Sequence, residues 1–273
     1  MFETQVIEML FFIFGAVIGS FLNVCIVRLP LEKSIVAPRS HCLFCKTTIP
    51  WYDNIPFVSF ILLRGRCRFC KARISSRYFL VELLTAVFFV LFYRYFGLSP
   101  VLFAYLIMLC AFIISTFIDF EHRIIPDEIS VGGMLAGIVL SFFIPALHGM
   151  DKAGLSGIWP HLSSLGLSLL GVFVGGGSIY LMGVIGDIVF RKESMGGGDV
   201  KLMALVGAFL GWKLALLTFF LAPFFGAFYG LAEKIRTKDS AIAYGPFLVM
   251  GALVSLFWGK LITQWILSGY GLY

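Results

Sequence analysis

The chain has 273 residues, of which 60% are hydrophobic and only 13% are charged. Soluble domains carry roughly 25% charged residues, so this composition excludes an ordinary soluble protein and indicates one that crosses a membrane several times. The formal net charge of +6 must be interpreted by its position along the chain, and we expect no nucleic-acid partner.

Apolar runs predict an all-α polytopic membrane protein with about eight transmembrane helices. The runs cover 5–27, 78–96, 100–118, 129–147, 162–187, 199–211, 213–232 and 246–268. The first run has acidic residues before it and no basic region, so we interpret it as a retained span and not as a secretory signal. The sixth run holds about 13 residues, too few for a straight helix to cross roughly 30 Å of hydrocarbon. We expect it to be tilted or shielded by protein, and to line a wet cavity with the glycine-rich loop before it.

Lysine and arginine residues are concentrated in alternate loops. The loops 28–77, 119–128, 187–201 and 233–243 together hold 17 of the 21 basic residues. The remaining four are Arg94, Lys152, Lys213 and Lys260. By the positive-inside rule the basic loops face the cytoplasm, which places both termini outside.

The segment 28–77 is the only sizeable soluble piece, and it carries two Cys-x-x-Cys pairs. Cys42 and Cys45 form the first pair, and Cys67 and Cys70 form the second after a gap of 21 residues. Paired knuckles of this kind are typical of a structural Zn²⁺ site, for which gaps of roughly 15–20 residues are usual. A reducing cytoplasm disfavours disulfides. We therefore predict a small zinc-knuckle domain; four unligated thiols are the weaker alternative.

Two acidic residues stand where apolar runs meet the predicted cytoplasmic face. Asp119 follows the third run, and Asp199 follows three glycines at the start of the sixth. A carboxylate at the edge of hydrocarbon loses hydration, so it marks a functional site. Glycines permit a close approach of the backbone, and we expect the two acids to meet. Paired carboxylates share a proton, so one can act as a base toward water while the other donates to a carbonyl.

Each acid also has a structural interpretation. Asp119 can pair with Arg123 at a helix end, and Asp199 can be a charge favoured by the dipole at a helix N-terminus. Asp127 is predicted to be an N-cap. Glu82 lies inside the second run, where snorkelling to water and a buried polar role both remain open.

Six segments in order resemble bacterial type IV prepilin peptidases, the enzymes of type IV pilus and type II secretion systems. The segments are 19–30, the two cysteine pairs, 64–67, 82–85, 119–127 and 196–201. The resemblance implies a hydrolase of the bacterial inner membrane that removes a basic leader after glycine at the cytoplasmic face. It also implies N-methylation of the new terminal residue of the prepilin or pseudopilin. The implied partners are these substrates and the lipid bilayer.

The resemblance assigns roles to the predicted site residues. It implies that Asp119 and Asp199 are the aspartic protease pair, and that Cys42, Cys45, Cys67 and Cys70 hold zinc in a domain associated with methyl transfer from S-adenosyl-L-methionine. No dinucleotide-type glycine motif follows a predicted strand, so the motifs do not locate the methyl donor. Asn23, Arg28 and Gly65 are candidates for its pocket, or are turn and packing residues.

We divide the chain into a first transmembrane helix (1–27), a zinc-binding, methylation-associated loop domain (28–77) and a transmembrane aspartic peptidase domain (78–273). The alternative function is an ion-coupled transporter or a membrane scaffold whose zinc knuckle binds a partner. Against it, both acids lie at one face instead of the midplane. A protease that cuts within lipid shares the acid pair but requires the acids to lie deeper.

Overall fold

The computed structural model describes residues 2–191, 195–237 and 243–269. Within these ranges the fold is built from eight α-helices joined by loops and short 3₁₀ turns, in agreement with the predicted helical fold. They are α1 Phe2–Arg28, α2 Val58–Leu62, α3 Ser76–Phe96, α4 Pro100–His122, α5 Asp127–Phe143, α6 Trp159–Phe190, α7 Gly197–Thr237 and α8 Gly245–Gly269. Parts of two loops used in the charge count, 192–194 and 238–242, lie outside the described residues, as do 1 and 270–273.

Six of the described helices are long and apolar enough to cross a membrane, namely α1, α3, α4, α6, α7 and α8. The 17 residues of α5 cover about 26 Å, slightly less than the hydrocarbon thickness. The sixth and seventh predicted runs both fall within the element α7. The polytopic helical fold is confirmed, and α5 and α7 account for the difference between eight runs and six long helices.

A chain reversal at Gly211 divides α7 into two arms, 197–210 and 212–237. Gly211 has φ 73° and ψ 170°, a conformation open to glycine and strained for other residues. Both arms contact Gly175 of α6: a Cβ there would meet the Met203 carbonyl oxygen and lie 3.5 Å from the Ala215 Cβ. Twelve residues of straight helix span about 18 Å, so both contacts require the chain to turn back. The separation of the sixth and seventh runs in the sequence therefore corresponds to this reversal.

The first arm of α7 is enclosed by protein, as its short length predicts. It meets α6 so closely that a Cβ on either Gly171 or Gly207 would overlap the backbone of the other. A Cβ on Gly137 of α5 would lie 2.8 Å from the Phe209 ring. The fully buried residues of the arm are Leu202, Met203, Leu205, Val206, Ala208 and Phe209. Contact with two neighbouring helices thus replaces contact with lipid along the arm.

The chain divides into two compact units, Met1–Ile114 and Ser115–Tyr273. In the first unit, α1 packs on α3 at Gly19, where a Cβ would lie 2.7 Å from the Glu82 Cα. Glu82 is buried, with 8% of its surface exposed, and its Oε2 accepts the Phe57 N–H at 3.0 Å. Of the two alternatives for Glu82, the structure therefore shows the buried polar role, in which the side chain ties the segment before α2 to α3.

Candidate active site and metal centre

Asp119 lies in the last turn of α4, where the helix ends abruptly. Arg123 adopts a left-handed conformation with φ 55°, and its N–H donates to the Asp119 carbonyl oxygen at 2.9 Å, which closes the helix. The Asp119 side chain turns away from water, since only 5% of the residue is exposed. Its Oδ2 accepts the N–H of Gly245, the first residue of α8, at 2.9 Å.

Asp199 lies in the first turn of α7, where the positive end of the helix dipole favours a carboxylate. The residue is half-buried, and its N–H donates to the Gly196 carbonyl oxygen at 3.1 Å. Its carboxylate is close enough to Asp119 for the two charges to interact. The structure thus brings together the two acids that the sequence predicts to meet.

Ile125 is the residue on which the helix ends around the two acids pack. A Cβ on Gly198 would lie 3.1 Å from the Ile125 Cβ, and a Cβ on Gly245 would lie 3.1 Å from its Cδ1. Ile125 is buried in the turn between α4 and α5, so the starts of α7 and α8 both pack on that turn. The predicted need for glycine next to Asp199 is met at Gly198, where a side chain would crowd Ile125.

Asp127 is not the N-cap that the sequence predicts. Pro126 occupies the cap position, and Asp127 is the first residue of α5, with no side-chain bond to the helix end. Its oxygens instead accept from the Lys201 Nζ at 2.6 and 2.8 Å. Lys201 follows Asp199 by two residues, so this ion pair joins the start of α7 to the start of α5.

Tyr244 is a further neighbour of the acid pair, directly before α8. Burial and the nearby Asp199 carboxylate raise the pKa of Tyr244 to about 12, so its hydroxyl keeps its proton at neutral pH. The Tyr244 carbonyl oxygen accepts the N–H groups of Phe247 and Leu248 at 3.0 and 3.2 Å, which starts α8.

Four cysteines in the segment between α1 and α3 form a compact cluster. Their sulfur atoms all lie within 4.8 Å of one another. The Cys42 and Cys70 sulfurs are 3.7 Å apart, and those of Cys45 and Cys67 are 4.0 Å apart. Tetrahedral Zn²⁺ with Zn–S bonds of about 2.3 Å has sulfur–sulfur edges of about 3.8 Å. The cluster therefore has the dimensions of a Cys₄ zinc site.

The two cysteine pairs are built in the same way, 25 positions apart. Cys42 N–H donates to the Thr47 oxygen at 3.0 Å, and Cys67 N–H donates to the Ala72 oxygen at 2.8 Å. The Thr47 hydroxyl and N–H lower the pKa of Cys45 to about 6, whereas, against a bond from the Ala72 backbone, burial and the neighbouring cysteines raise the pKa of Cys70 to about 11. The N–H groups of Cys70 and Phe69 lower the pKa of Cys67. Thiolates are the form that binds metal.

Comparison with known proteins covers nearly the whole chain. Residues 13–96 match the bacterial peptidase A24 N-terminal domain, and residues 105–231 match the type IV leader peptidase family. A prepilin leader peptidase/N-methyltransferase of Aeromonas hydrophila is 32% identical over 292 residues, covering 96% of this chain and 94% of the relative. The chain belongs to the type IV leader peptidase family.

Other relatives agree with this membership. A prepilin leader peptidase/N-methyltransferase of Myxococcus xanthus is 41% identical over 226 residues, which cover 83% of this chain and 63% of that protein. A type 4 prepilin-like proteins leader peptide-processing enzyme of Escherichia coli is 34% identical over 263 residues, covering 89% of this chain and 91% of the relative. No solved structure matches the chain.

Membership in a leader peptidase family decides against the transporter or scaffold alternative. Together with the six helices that are long and apolar enough to span a membrane, it makes the chain a multi-pass inner-membrane enzyme.

The three sequence candidates for the methyl-donor pocket lie in different settings. Asn23 is buried between α1 and α3, where its Nδ2 donates to the Gly19 and Tyr78 oxygens at 3.3 and 3.0 Å. Gly65 forms a turn with φ 63° and accepts the Ile74 N–H at 2.8 Å. Both contacts are those of packing and turn residues.

Arg28 is the candidate that borders a cavity. Its guanidinium donates to the Ser34 and Pro38 oxygens at 2.9 and 2.7 Å. The cavity has a volume of about 320 Å³, and its polar and aromatic lining includes Arg28, Arg39, Ser40, Trp51 and Asn54. Arg28 is thus the one sequence candidate placed at an opening of the size that small-molecule sites have.

Sequence reasoning missed three residues of the acid site: Lys201, Tyr244 and Gly245. Their local signals are weak. The Gly245-Pro246 dipeptide marks the start of the last helix, but nothing in that stretch indicates contact with Asp119. Lys201 lies within the resembling segment 196–201, and only its partner Asp127 shows its role.

Proposed function

We propose that Asp119 and Asp199 are the catalytic pair of an aspartic endopeptidase that removes the leader of type IV prepilins or pseudopilins. The observation that carries this proposal is the buried Asp119 carboxylate, held by the Gly245 N–H within the field of Asp199. Two carboxylates in this relation cannot both ionise easily and therefore share a proton.

The shared proton provides general acid and base in one site. One carboxylate takes a proton from water as its oxygen attacks the scissile carbonyl carbon, and the other gives its proton to the carbonyl oxygen. The tetrahedral intermediate then collapses: one of its hydroxyls returns a proton to one carboxylate as the carbonyl re-forms, the C–N bond breaks, and the leaving amine takes a proton from the other carboxylic acid. Each cycle consumes one water and returns the pair to its singly protonated state. No metal ligand or nucleophilic side chain is required from the chain.

The orientation predicted from basic residues supports cleavage on the cytoplasmic side, with both termini outside. Seventeen of 21 basic residues fall in the loops assigned to that side, and the positive-inside rule places them in the cytoplasm. Asp119 and Asp199 lie at the helix ends that meet those loops. A substrate leader that stays in the cytoplasm would therefore meet the pair at the membrane edge.

We also propose that the Cys₄ cluster binds structural zinc. Its four sulfurs have the spacing of a tetrahedral site, and closed four-ligand sites of this kind stabilise small domains. Zinc would thus fix the loop domain 28–77, in which α2 and two short turns supply little core of their own. We retain 1–27, 28–77 and 78–273 as the functional division.

N-methylation of the new terminus would use S-adenosyl-L-methionine, which supplies an electrophilic methyl group. We propose the cavity beside Arg28 as its site. Arg28 and Arg39 offer cationic groups for a carboxylate, and the Trp51 ring, 72% exposed, offers a flat face for adenine or a sulfonium cation. Most residues that line the cavity belong to the loop domain 28–77, which agrees with the association of that domain with methyl transfer in the resembling family.

The deciding experiment incubates the purified full chain with a prepilin and S-adenosyl-L-methionine and reads the product by intact mass. We expect loss of the leader mass and a gain of one methyl group. An unchanged prepilin mass with a folded, zinc-loaded enzyme would refute the peptidase proposal. Cleavage without added methyl would refute only the methyl-transfer part.

A further inference from the structure

We infer that the start of α8 is the third component of the acid site, in which Gly245 is a positioning residue that holds the Asp119 carboxylate and favours its ionised form. This inference rests on the proposed catalytic role of Asp119 and Asp199. It concerns a segment that lies 126 positions from Asp119 and outside the resembling motifs.

The contact between Gly245 and Asp119 leaves no room for adjustment. The Gly245 N–H donates to Oδ2 at 2.9 Å, and the bond is buried. A Cβ on Gly245 would lie 2.8 Å from Oδ2 and 3.4 Å from the Asp119 Cγ. A side chain at this position would crowd the oxygen that accepts the bond most closely, and Ile125 next, so it would push the carboxylate away from the amide.

The donor is also well placed within its helix. Gly245 and Pro246 open α8, and Pro246 has no N–H of its own. The Gly245 amide is therefore the outermost donor of the first turn, where the positive end of the helix dipole favours an anion. Asp119 needs this partner, since it lies at the C-terminal end of its own helix, where the dipole opposes a negative charge.

Charged and polar neighbours differ between the two acids. Asp119 is faced by the Gly245 amide and by the positive charge of Arg123. Asp199 is faced by the Gly196 amide and lies near the neutral Tyr244 hydroxyl, and each of the two carboxylates feels the negative charge of the other. Hydrogen bonds and cations favour the ionised form, whereas a like charge favours the protonated form. The Gly245 N–H and Arg123 therefore favour the ionised form of Asp119, in which its carboxylate can take a proton from water.

The test compares two alanine variants of α8 with similar crowding. Gly245→Ala displaces the Asp119 carboxylate, whereas Gly251→Ala brings a Cβ to 3.1 Å from the Thr218 oxygen and 3.2 Å from the Ala222 nitrogen, away from both acids. The measurement is kcat/KM for prepilin cleavage against pH. The acid limb of this profile is the range in which the rate falls as pH decreases. Loss of a hydrogen bond to a charged group should move this limb in Gly245→Ala about one pH unit toward higher pH, which lowers the rate about tenfold at a given pH on the limb. Gly251→Ala should keep the wild-type limb.

An acid limb in Gly245→Ala that coincides with those of wild type and Gly251→Ala would overturn the inference. Loss of cleavage in Asp119→Asn tests the catalytic pair itself, so the two failures remain distinguishable: an active Asp119→Asn enzyme defeats the proposed function, and an unmoved limb defeats only the role of Gly245.

Hydrogen exchange tests the same bond without activity, in case Gly245→Ala accumulates poorly. The full chain is compared with Asp119→Ala and Asp199→Ala, and exchange is read by mass spectrometry over 243–247. Removal of the acceptor should speed exchange of about one amide in Asp119→Ala and leave Asp199→Ala close to wild type. Equal protection in all three proteins would show that Asp119 does not hold the Gly245 amide.

Discussion

Asp127 and Lys201 are 74 positions apart in the sequence, yet both oxygens of Asp127 lie within 2.8 Å of the Lys201 Nζ. The pair joins the starts of two helices that flank the acid site: α5, which follows the turn that contains Ile125, and α7, whose first turn carries Asp199. The Asp127 side chain is 64% exposed and the Lys201 side chain is 44% exposed. The ion pair therefore adds little to the stability of the fold, and its role is to set the position of α7.

The first prediction concerns this ion pair. Asp127→Asn and Lys201→Met should each lower the prepilin cleavage rate by at most about fivefold, because exposed ion pairs contribute roughly 0.2–1 kcal/mol. The double variant should be no slower than either single variant, since both lose the same contact. Initial rates from purified enzymes check this, and multiplied losses in the double variant would show that the two residues act separately.

The second prediction concerns the acids. Asp119→Asn and Asp199→Asn should each abolish cleavage, because an amide can neither take a proton from water nor return one. The double variant should be no worse than either single, as expected of residues that act as a unit. Zinc content and membrane insertion should stay at wild-type levels in all three. Activity in Asp119→Asn together with its loss in Asp127→Asn would move the first catalytic role to Asp127.

The third prediction concerns the cysteine cluster. Elemental analysis of the purified chain should give about one Zn²⁺ per molecule, as four thiolates form one closed site. Cys42→Ser with Cys45→Ser should lose the metal, while Cys25→Ser, which alters a buried cysteine outside the cluster, should keep it. Methylation should fall more than cleavage when zinc is lost, because other helices carry the acids. Equal losses of both activities would indicate one integrated site.

The fourth prediction separates the two activities at the cavity. Trp51→Ala removes the exposed ring that borders it and should raise the KM for S-adenosyl-L-methionine by about five- to 150-fold, given about 1–3 kcal/mol for base–aromatic stacking. Cleavage should remain within twofold of wild type. Trp159→Ala, which removes another exposed tryptophan far along the chain, serves as the control. A loss of cleavage that equals the loss of methylation would exclude the cavity as a separate donor site.

The fifth prediction concerns acid stability at the reversal of α7. A Cβ on Gly211 would lie 3.2 Å from the His148 Nδ1, so the imidazole packs under the turn. Burial, opposed by a bond with the Ala208 backbone, lowers the pKa of His148 from 6.5 to about 4. The folded state therefore keeps the ring neutral, while the unfolded state binds a proton below about pH 6.5. The contribution of the neutral ring to the free energy of unfolding should be fully present above pH 6.5. It should decrease as pH falls to 4, by up to roughly 3 kcal/mol.

Thermal unfolding in detergent between pH 7 and pH 4 measures this effect. His148→Gln, which cannot titrate, should lose less of its Tm over that range than wild type does. His122→Gln removes an exposed histidine, with 42% of its side chain accessible, and should follow the wild-type curve. Parallel curves for His148→Gln and wild type would assign the acid sensitivity to other groups.

Much of the site was predictable because its signals are local. The lengths of the apolar runs indicate membrane helices, since a span must satisfy its own backbone hydrogen bonds. The Cys-x-x-Cys spacing around Cys42 and Cys67 predicts the sulfur cluster, because a knuckle is built within a few residues. Asp119 and Asp199 were identified by their unusual place at the ends of apolar runs, where a carboxylate loses hydration at a cost in free energy.

The tertiary structure decided the contacts between distant residues. A sequence pattern shows Gly245-Pro246 as a helix start, but only packing places its N–H on Asp119. Asp127 has the sequence of a cap, yet the packing of the first arm of α7 on α5 and α6 brings Lys201 to it. The sequence by itself determined which elements form and which residue types are out of place, because those depend on neighbours along the chain. The fold decided which of them meet, because close packing between helices is set by the shapes of surfaces contributed from separate segments.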